Sequence, residues 1–335
     1  MKHLSILILS LSLLLGVSSC KSDNPTESTP KPTAQKPRVK VPKFDGDKAY
    51  ALVEKQLSFG HRIPGTPEHK ATKDWYVEQL KAAGTDVQVQ EFKASFLGLE
   101  DKESYNIIAS FNPKNTHRIM LAAHWDSRLI AEKDEDKSMQ EKPIMGADDG
   151  ATGTAILLEI ANMVKENPID LGIDIVLFDA EDQGDSNGAQ TTWCLGSQYW
   201  GKNPHVPNYK ATFGILLDMV GAKDAQFGLE GFSFANAGEI QKKIWGLARG
   251  MGYSDYFQNF KGGQITDDHY YVMTHRQFPM VDIINMPKDP TTGETSFGHY
   301  HHTHKDNIDI VSKRTLKVVG QVVTAVIYKE SDGSF

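Results

Sequence analysis

The chain has 335 residues, of which 39% are hydrophobic and 24% are charged, and its formal net charge at pH 7 is −7. A negative balance with no basic block beyond the N-terminal segment argues against a nucleic-acid-binding protein. The sequence shows no internal repeat and only one long apolar run, which lies at the N-terminus. We therefore expect a globular protein with a sizeable hydrophobic core.

Residues 1–20 have the pattern of a secretory signal, with a basic start, an apolar run from Leu4 to Val17 and small residues before Cys20. This run is too short to span a membrane, although a buried hydrophobic strand is an alternative interpretation. The cysteine resembles a bacterial lipoprotein cleavage site. We expect lipidation at Cys20 and export to the bacterial cell envelope, anchored to a membrane and facing the periplasm. Only Cys194 then remains, which excludes an internal disulfide.

Residues 21–43 are rich in Pro, Ser, Thr and Lys and poor in large apolar side chains. Such a segment cannot bury enough surface to offset the entropy of ordering, so it is predicted to be a disordered tether. Residues 44–335 are then predicted to form a single domain.

Apolar periodicity predicts alternating helices and strands within this domain. Helices are expected at residues 47–60, 67–83, 151–165, 196–201, 238–251 and 307–329. Strands are expected at residues 86–92, 105–111, 119–123, 173–178 and 213–217. This alternation predicts a three-layer α/β fold, with a mixed, mainly parallel central sheet and helices on both faces.

Polar residues follow three of the predicted strands directly. His124 and Asp126 follow one strand, Glu181 and Asp182 follow the next, and Asp218 follows the third. Sites in open α/β sheets form beyond the carboxyl ends of the strands. We therefore expect these side chains to meet at one edge of the sheet.

A small-residue segment from Gly146 to Gly153 carries two adjacent acids, Asp148 and Asp149, at the predicted start of a helix. Helix N-termini favour negative charge, so either acid could simply be an N-cap. The other polar segments near it favour a functional role. Carboxylates and imidazoles with few thiols are the donors that zinc accepts, and a catalytic zinc keeps one position open.

Two other chemistries are weaker. Ser127 follows His124 and Asp126 but lies outside the G-x-S-x-G pattern of a nucleophile elbow. The acidic turn at residues 182–188 lacks the glutamate that closes a calcium loop, so a surface turn is the better interpretation.

The segments H-W-D-S, A-D-D-G-A-T-G, D-A-E-D, L-L-D-M-V-G-A and H-T-x-x-D-N resemble, in this order and spacing, the M28 zinc peptidase clan. Within it they are most similar to glutaminyl cyclases of the animal type. The resemblance covers roughly residues 44–330 and implies a zinc-exopeptidase-like fold. It implies a glutaminyl-peptide cyclotransferase, which converts the N-terminal Gln of peptides and proteins to pyroglutamate with release of ammonia.

The resemblance also implies how the site is built. One Zn²⁺ per chain would be held by Asp149, Asp182 and His302, with the bond from Asp149 to Gly150 in cis. Many relatives carry Glu where this chain has Asp182, which has a shorter reach.

The resemblance assigns the general acid/base role to Glu181. Asp218 and Asp268 match the acids that form a hydrogen-bond network with it.

Trp193 and Phe297 match aromatic walls of the substrate pocket. His301 stands where relatives of this type commonly carry Trp, which leaves that wall in doubt and makes His301 or His304 a possible rival ligand.

A two-zinc aminopeptidase of the same clan is the alternative. Its five ligand positions all carry capable residues here: His124, Asp149, Asp182, Asp218 and His302. Three features favour the cyclase: the extra acid of T-D-D-H, the position of Trp193 after the Glu181-Asp182 pair, and the cyclase-like segments. A third alternative is a binding protein, which would follow if the metal site were degenerate. We expect a monomer.

The remaining histidines are predicted to lie on the surface: His61, His69, His117, His205 and His275. The charged run at residues 132–142 is predicted to be a solvated loop, with a possible role at the rim of the site.

Overall fold

The computed structural model describes residues 38–335. The predicted signal segment, Cys20 and most of the predicted tether lie outside the described residues. Within residues 38–335, no helix has the length and apolarity needed to cross a membrane.

The described residues form alternating helices and strands. The helices are α1 (Gly46–Leu57), α2 (Pro67–Ala82), α3 (Ala151–Glu166), α4 (Leu195–Lys202), α5 (Gly231–Gly250), α6 (Asp268–Arg276) and α7 (Lys313–Asp332). The strands are β1 (Asp86–Phe96), β2 (Leu99–Phe111), β3 (Arg118–His124), β4 (Gly172–Phe178), β5 (Gly214–Asp218), β6 (Phe227–Leu229), β7 (Phe257–Lys261) and β8 (Met280–Ile284).

The central sheet has six strands in the order β1-β2-β4-β3-β5-β8. The β1–β2 hairpin and the β2–β4 pair are antiparallel, whereas β4, β3, β5 and β8 run parallel to one another. Helices α1, α3 and α7 pack together, and α4 packs against α6. The predicted mixed, mainly parallel sheet with helices on both faces is confirmed.

The parallel strands β4 and β5 are buried along their whole length, and β3 is buried except at Arg118. Continuous burial follows from helices covering both faces, which is why these strands appear in the sequence as unbroken apolar runs. Their carboxyl ends lie at one edge of the sheet, where the polar residues that follow them meet.

Several predicted boundaries were wrong. The last helix begins at Lys313, where Ser312 accepts a hydrogen bond from the Thr315 amide, and not at residue 307. Helix α5 begins at Gly231, seven residues before the predicted start, and crosses a kink at Ala237. Strands β6, β7 and β8 and helix α6 were not predicted; β8 contains the buried Asp282, which interrupts its apolar pattern.

Glu159 is a buried carboxylate on α3, 3% exposed, and its nearest cation is Lys48 at 3.9 Å. Burial raises the pKa of Glu159 to about 7. The unfolded chain releases this proton near pH 4.5, so the folded state holds one more proton between about pH 4.5 and 7. The contribution of Glu159 to stability is therefore lost as the pH rises through this window.

We predict that Glu159→Gln removes this pH dependence. Above pH 7 the variant should be more stable than the wild type by on the order of 1 kcal/mol, and the difference should shrink toward pH 4.5. Urea unfolding from pH 5 to pH 8 measures it. A difference that does not change with pH would contradict the assignment.

Candidate active site and metal centre

A cavity of about 520 Å³ opens at the carboxyl edge of the sheet. His124 ends β3 and Asp218 ends β5, and Glu181-Asp182 follow β4, so three strands contribute to one place, as the sequence predicted. The cavity lining contains eight of the nine residues expected at the site: Asp149, Glu181, Asp182, Trp193, Asp218, Phe297, His301 and His302.

The small residues of the Gly146–Gly153 segment allow α3 to begin directly against the sheet. Gly150 has φ +94°, and a Cβ there would lie 2.5 Å from the carbonyl oxygen of Asp126. A Cβ on Gly153 would lie 2.3 Å from the carbonyl oxygen of Leu217. Both approaches are too close for any side chain, so glycine is required at these positions.

The predicted cis bond between Asp149 and Gly150 is wrong. All peptide bonds of residues 38–335, including this one, are trans. The positive φ of Gly150 turns the chain into α3 instead, and Gly150 is itself the N-cap, without a side-chain hydrogen bond. The carboxylate of Asp149 nevertheless lines the cavity.

Asp148 supports the segment and faces away from the cavity. It is fully buried, and its carboxylate accepts hydrogen bonds from the amide of Gly221 at 2.6 Å, the hydroxyl of Thr152 at 3.0 Å and the hydroxyl of Tyr300. Burial raises the pKa of Asp148 to about 6. The two adjacent acids therefore have separate roles.

The three predicted zinc ligands all line the cavity, and His302 lies close to each of the other two. His302 Nε2 lies 3.0 Å from Asp182 Oδ1, and ligand atoms of Asp149 and His302 lie within 4.8 Å of each other. The second carboxylate oxygen of Asp182 is buried and accepts no hydrogen bond. A buried carboxylate oxygen without a donor is costly unless a cation is present. Two carboxylates and one imidazole are donors that zinc accepts, so these residues fit the ion.

A second donor set shares Asp149. His124 Nε2 lies 3.0 Å from Asp149 Oδ1 and 3.2 Å from Asp218 Oδ1. Ligand atoms of these three residues lie within 4.8 Å of one another. The positions required by a two-zinc site are thus also brought together.

The two rival histidines differ in their surroundings. His301 lies with Asp149 and His302 in a group whose ligand atoms are within 4.8 Å, and its Nδ1 accepts from Lys133 Nζ at 2.6 Å. His304 Nδ1 instead faces Asp134 Oδ2 at 2.9 Å. Among the possible metal groups of residues 38–335, neither His304 nor Asp182 appears, but Asp182 lines the cavity and His304 does not.

Glu181 lies beside these ligands with its side chain 13% exposed. Burial raises the pKa of Glu181 well above its usual range, and the nearby carboxylates of Asp267 and Asp182 raise it further. Cys194 Sγ donates to Glu181 Oε1 at 3.2 Å. Burial also raises the pKa of Asp218, to about 8.

Of the two acids of T-D-D-H, Asp267 lines the cavity, and Asp268 is the one that the resemblance assigns to the network with Glu181. Asp267 has a carboxylate oxygen within 4.8 Å of Glu181 and Cys194 ligand atoms. Asp268 is fully buried and is not part of the lining. The two side chains diverge because Asp267 is the N-cap of α6 and Asp268 is its first residue.

The predicted aromatic walls flank the ligands. Trp193 is nearly parallel to the ring of His302, with centroids 5.7 Å apart, and Phe297 stacks on His301 at 4.3 Å. A Cβ on Gly184 would lie 2.0 Å from the indole of Trp193, so the absence of a side chain there makes room for this wall.

The prediction that His69 lies on the surface is wrong. Helix α2 turns this side chain inward, where Nε2 lies 2.9 Å from Asp179 Oδ2 and the ring stacks on Trp125 at 4.3 Å. His205 is also inaccessible, with a side chain that is 4% exposed beside Trp200. These histidines belong to the protein interior and not to the cavity.

Asp306 is a site residue that sequence reasoning missed. Its carboxylate accepts from the amides of Asp148 at 2.7 Å and Asp149 at 3.2 Å, which fixes the turn that carries the ligand. Its place in the H-T-H-K-D-N segment was the available signal.

The sequence model of Peptidase family M28 matches residues 106–327. The chain belongs to peptidase family M28. The relationship expected from the motifs is therefore confirmed.

Individual M28 relatives are similar over most of the chain. Glutaminyl cyclase from Tannerella forsythia is 46% identical, over 86% of this chain and 99% of that one, with a TM-score of 0.82. A Zn-dependent exopeptidase from Parabacteroides distasonis is also 46% identical, over 86% and 99%, with a TM-score of 0.83. Glutaminyl-peptide cyclotransferase of Drosophila melanogaster is 26% identical over 281 residues, 76% of this chain and 73% of that protein.

We predict that Asp149→Asn, Asp182→Asn and His302→Gln each lose zinc. Removing a direct donor should weaken zinc binding by more than the roughly 10- to 100-fold that loss of an outer partner costs. Zinc content after dialysis, measured by mass spectrometry of the metal, tests this. Asp185→Asn, which changes a carboxylate elsewhere in the cavity lining, is the control. Full zinc content in any of the three variants would remove that residue from the ligand set.

Proposed function

We propose that this M28 protein is a glutaminyl-peptide cyclotransferase that acts on peptides and proteins with N-terminal Gln. The observation that carries the proposal is the near-complete coverage of Tannerella forsythia glutaminyl cyclase at 46% identity. The cavity adds chemical support, because a largely buried glutamate stands beside a zinc-ligand set and between aromatic walls.

Glu181 is the residue suited to move protons. The reaction needs a base that takes a proton from the substrate α-amino nitrogen as it attacks the side-chain amide carbon, and an acid that returns a proton to the departing ammonia. A carboxyl whose pKa is raised toward neutrality can do both. We assign Asp218 and Asp268 to the hydrogen-bond network that supports Glu181. Asp267, which has a carboxylate oxygen within 4.8 Å of a Glu181 oxygen, adds a further buried acid, and interacting acids of this kind titrate together.

Asp149, Asp182 and His302 would hold one zinc ion per chain. A bound zinc ion acts as a Lewis acid toward an amide carbonyl, which is worth several kcal/mol of charge stabilisation in such reactions.

The walls of the cavity define what enters. Trp193 and Phe297 offer flat apolar faces, and His301 occupies the place where a third aromatic ring is usual in enzymes of this type. Such walls orient a flexible glutaminyl side chain for ring closure and exclude water that would compete with the amine. We also propose that the enzyme works as a monomer.

The alternative function is a two-zinc aminopeptidase. The observation in its favour is the second donor set, in which His124 and Asp218 flank Asp149. The number of zinc ions and the product of the reaction separate the two functions.

A peptide that begins with Gln provides the decisive test. We expect the purified protein to release ammonia and leave the peptide bond intact, as seen by mass spectrometry.

Glu181→Gln should keep its zinc and lose roughly 10²- to 10⁴-fold in turnover, because the proton transfer is removed while the ligands stay.

Other outcomes are equally clear. Release of free Gln, with two tightly bound zinc ions per chain, would establish the aminopeptidase. Zinc binding without either product would indicate a binding protein. Glu181→Gln with wild-type turnover would contradict the proton-transfer role.

We also propose that the protein is exported and held on the bacterial cell envelope, facing the periplasm, through a lipid on Cys20. The support is the sequence pattern alone: a basic start, a short apolar run and a cysteine after small residues.

We predict that the full chain fractionates with membranes and that Cys20→Ala moves most of it to the soluble fraction. Cys194→Ala is the matched control, and an unchanged distribution of Cys20→Ala would contradict the anchor.

A further inference from the structure

Arg128 and Glu132 form an ion pair at the edge of the metal centre, in the segment between β3 and α3. We propose that this pair is a positioning device for the zinc ligands, in which Glu132 orients the ring of His302 and Arg128 holds Asp182 in place. The proposal rests on the zinc site put forward under the proposed function. It concerns zinc retention and does not depend on which reaction the zinc serves.

The first contact is between Glu132 and the ring of His302. Glu132 Oε1 lies 2.7 Å from His302 Nδ1, and the opposite ring nitrogen, Nε2, faces Asp182 Oδ1 at 3.0 Å. A carboxylate on Nδ1 selects the tautomer that carries its proton there, which leaves the Nε2 lone pair free for a metal. This is the arrangement in which an outer carboxylate orients a metal-binding imidazole.

The backbone conformation of His302 explains why its ring needs the contact with Glu132. His302 has φ +59°, a conformation that a residue with a side chain adopts only with support. It lies outside the helices and strands, so no regular element fixes its ring. The ring is held by side chains instead: Glu132 on Nδ1, Trp193 on one side and His301 stacked at 3.7 Å.

Arg128 connects Glu132 to the other ligand. Its guanidinium makes two hydrogen bonds to the Glu132 carboxylate, at 2.7 and 2.9 Å, and donates to the carbonyl oxygen of Asp182 at 2.7 Å. It also lies 4.6 Å from the ring centre of Trp193, which stacks on His302. One fully buried cation therefore contacts the partner of one ligand, the backbone of a second and an aromatic wall.

The geometry goes beyond what a structural ion pair requires. A bidentate arginine satisfies a carboxylate without help, yet Glu132 also accepts from Ser186 Oγ at 2.7 Å and meets His302. Its side chain is 22% exposed, so burial alone does not demand the contact with His302. Glu135, three residues further along the same run, is exposed and pairs with Lys305.

The test compares three variants of the full chain. Glu132→Gln keeps the size of the side chain and removes its charge, and Glu132→Ala removes the contact. Glu135→Gln makes the same chemical change three residues away, on an exposed glutamate that pairs with Lys305. Zinc affinity is measured by competition with a chromogenic chelator, and the urea midpoint of the metal-free protein is measured in parallel.

We expect zinc affinity to fall about 10- to 100-fold in Glu132→Ala and at least several-fold in Glu132→Gln, with Glu135→Gln unchanged. The metal-free urea midpoint of Glu132→Gln should fall below that of Glu135→Gln, because Arg128 loses its charged partner, while the unfolding transition stays cooperative. Wild-type zinc affinity in both Glu132 variants would overturn the proposal. So would a loss of the cooperative unfolding transition in metal-free Glu132→Gln, since Glu132 would then serve the fold alone.

The result is distinguishable from a failure of the proposed reaction. Wild-type protein that binds zinc tightly but releases free Gln from a peptide overturns the cyclotransferase and leaves the positioning pair intact. Wild-type protein that binds no zinc overturns the metal centre and the positioning pair together.

Discussion

The concentration of buried carboxylates at one edge of the sheet is the constraint on which the rest of the site depends. An ionised carboxylate taken out of water costs several kcal/mol unless donors or a cation replace the lost hydration. Some of the acids here are satisfied by the backbone: Asp126 accepts from the amides of Glu181 and Asp182 at 3.0 and 3.1 Å. Others are not, and a free oxygen of Asp182 and one of Asp267 remain without donors.

The acids at this edge therefore differ in role, according to whether backbone amides donate to them. The acids bound by amides act as supports that fix the turns after the strands. Among the acids that face the cavity, Asp182 and Asp267 each keep an oxygen without a donor, which a cation or a shared proton would balance. The proposed metal centre and the proposed proton-carrying glutamate would be two responses to the same accumulation of charge. Because they involve neighbouring residues of the chain, Asp182 and Glu181, the two proposed sites are adjacent.

Much of this could be predicted from the sequence, for reasons that are physical. The strands before His124, Glu181 and Asp218 are unbroken apolar runs, so their ends were visible, and parallel strands bring such ends to one edge. The local sequence pattern could not predict the orientation of side chains that tertiary contacts determine. Asp267 and Asp268 are adjacent and chemically identical, and only the start of α6 determines which one faces the cavity. His69 looked like a surface residue until its partner, Asp179, was brought to it by the fold.

The hydrogen bonds of Asp306 have a consequence for how the centre captures its ion. Asp306 lies four residues after His302, and it accepts from the amides of Asp148 and Asp149, 158 and 157 residues earlier in the chain. Two segments that are distant in sequence and carry proposed zinc ligands are thereby joined by hydrogen bonds of the protein itself. The entropy of bringing those donors together would then be lost during folding, and little of it would remain to oppose binding of the ion.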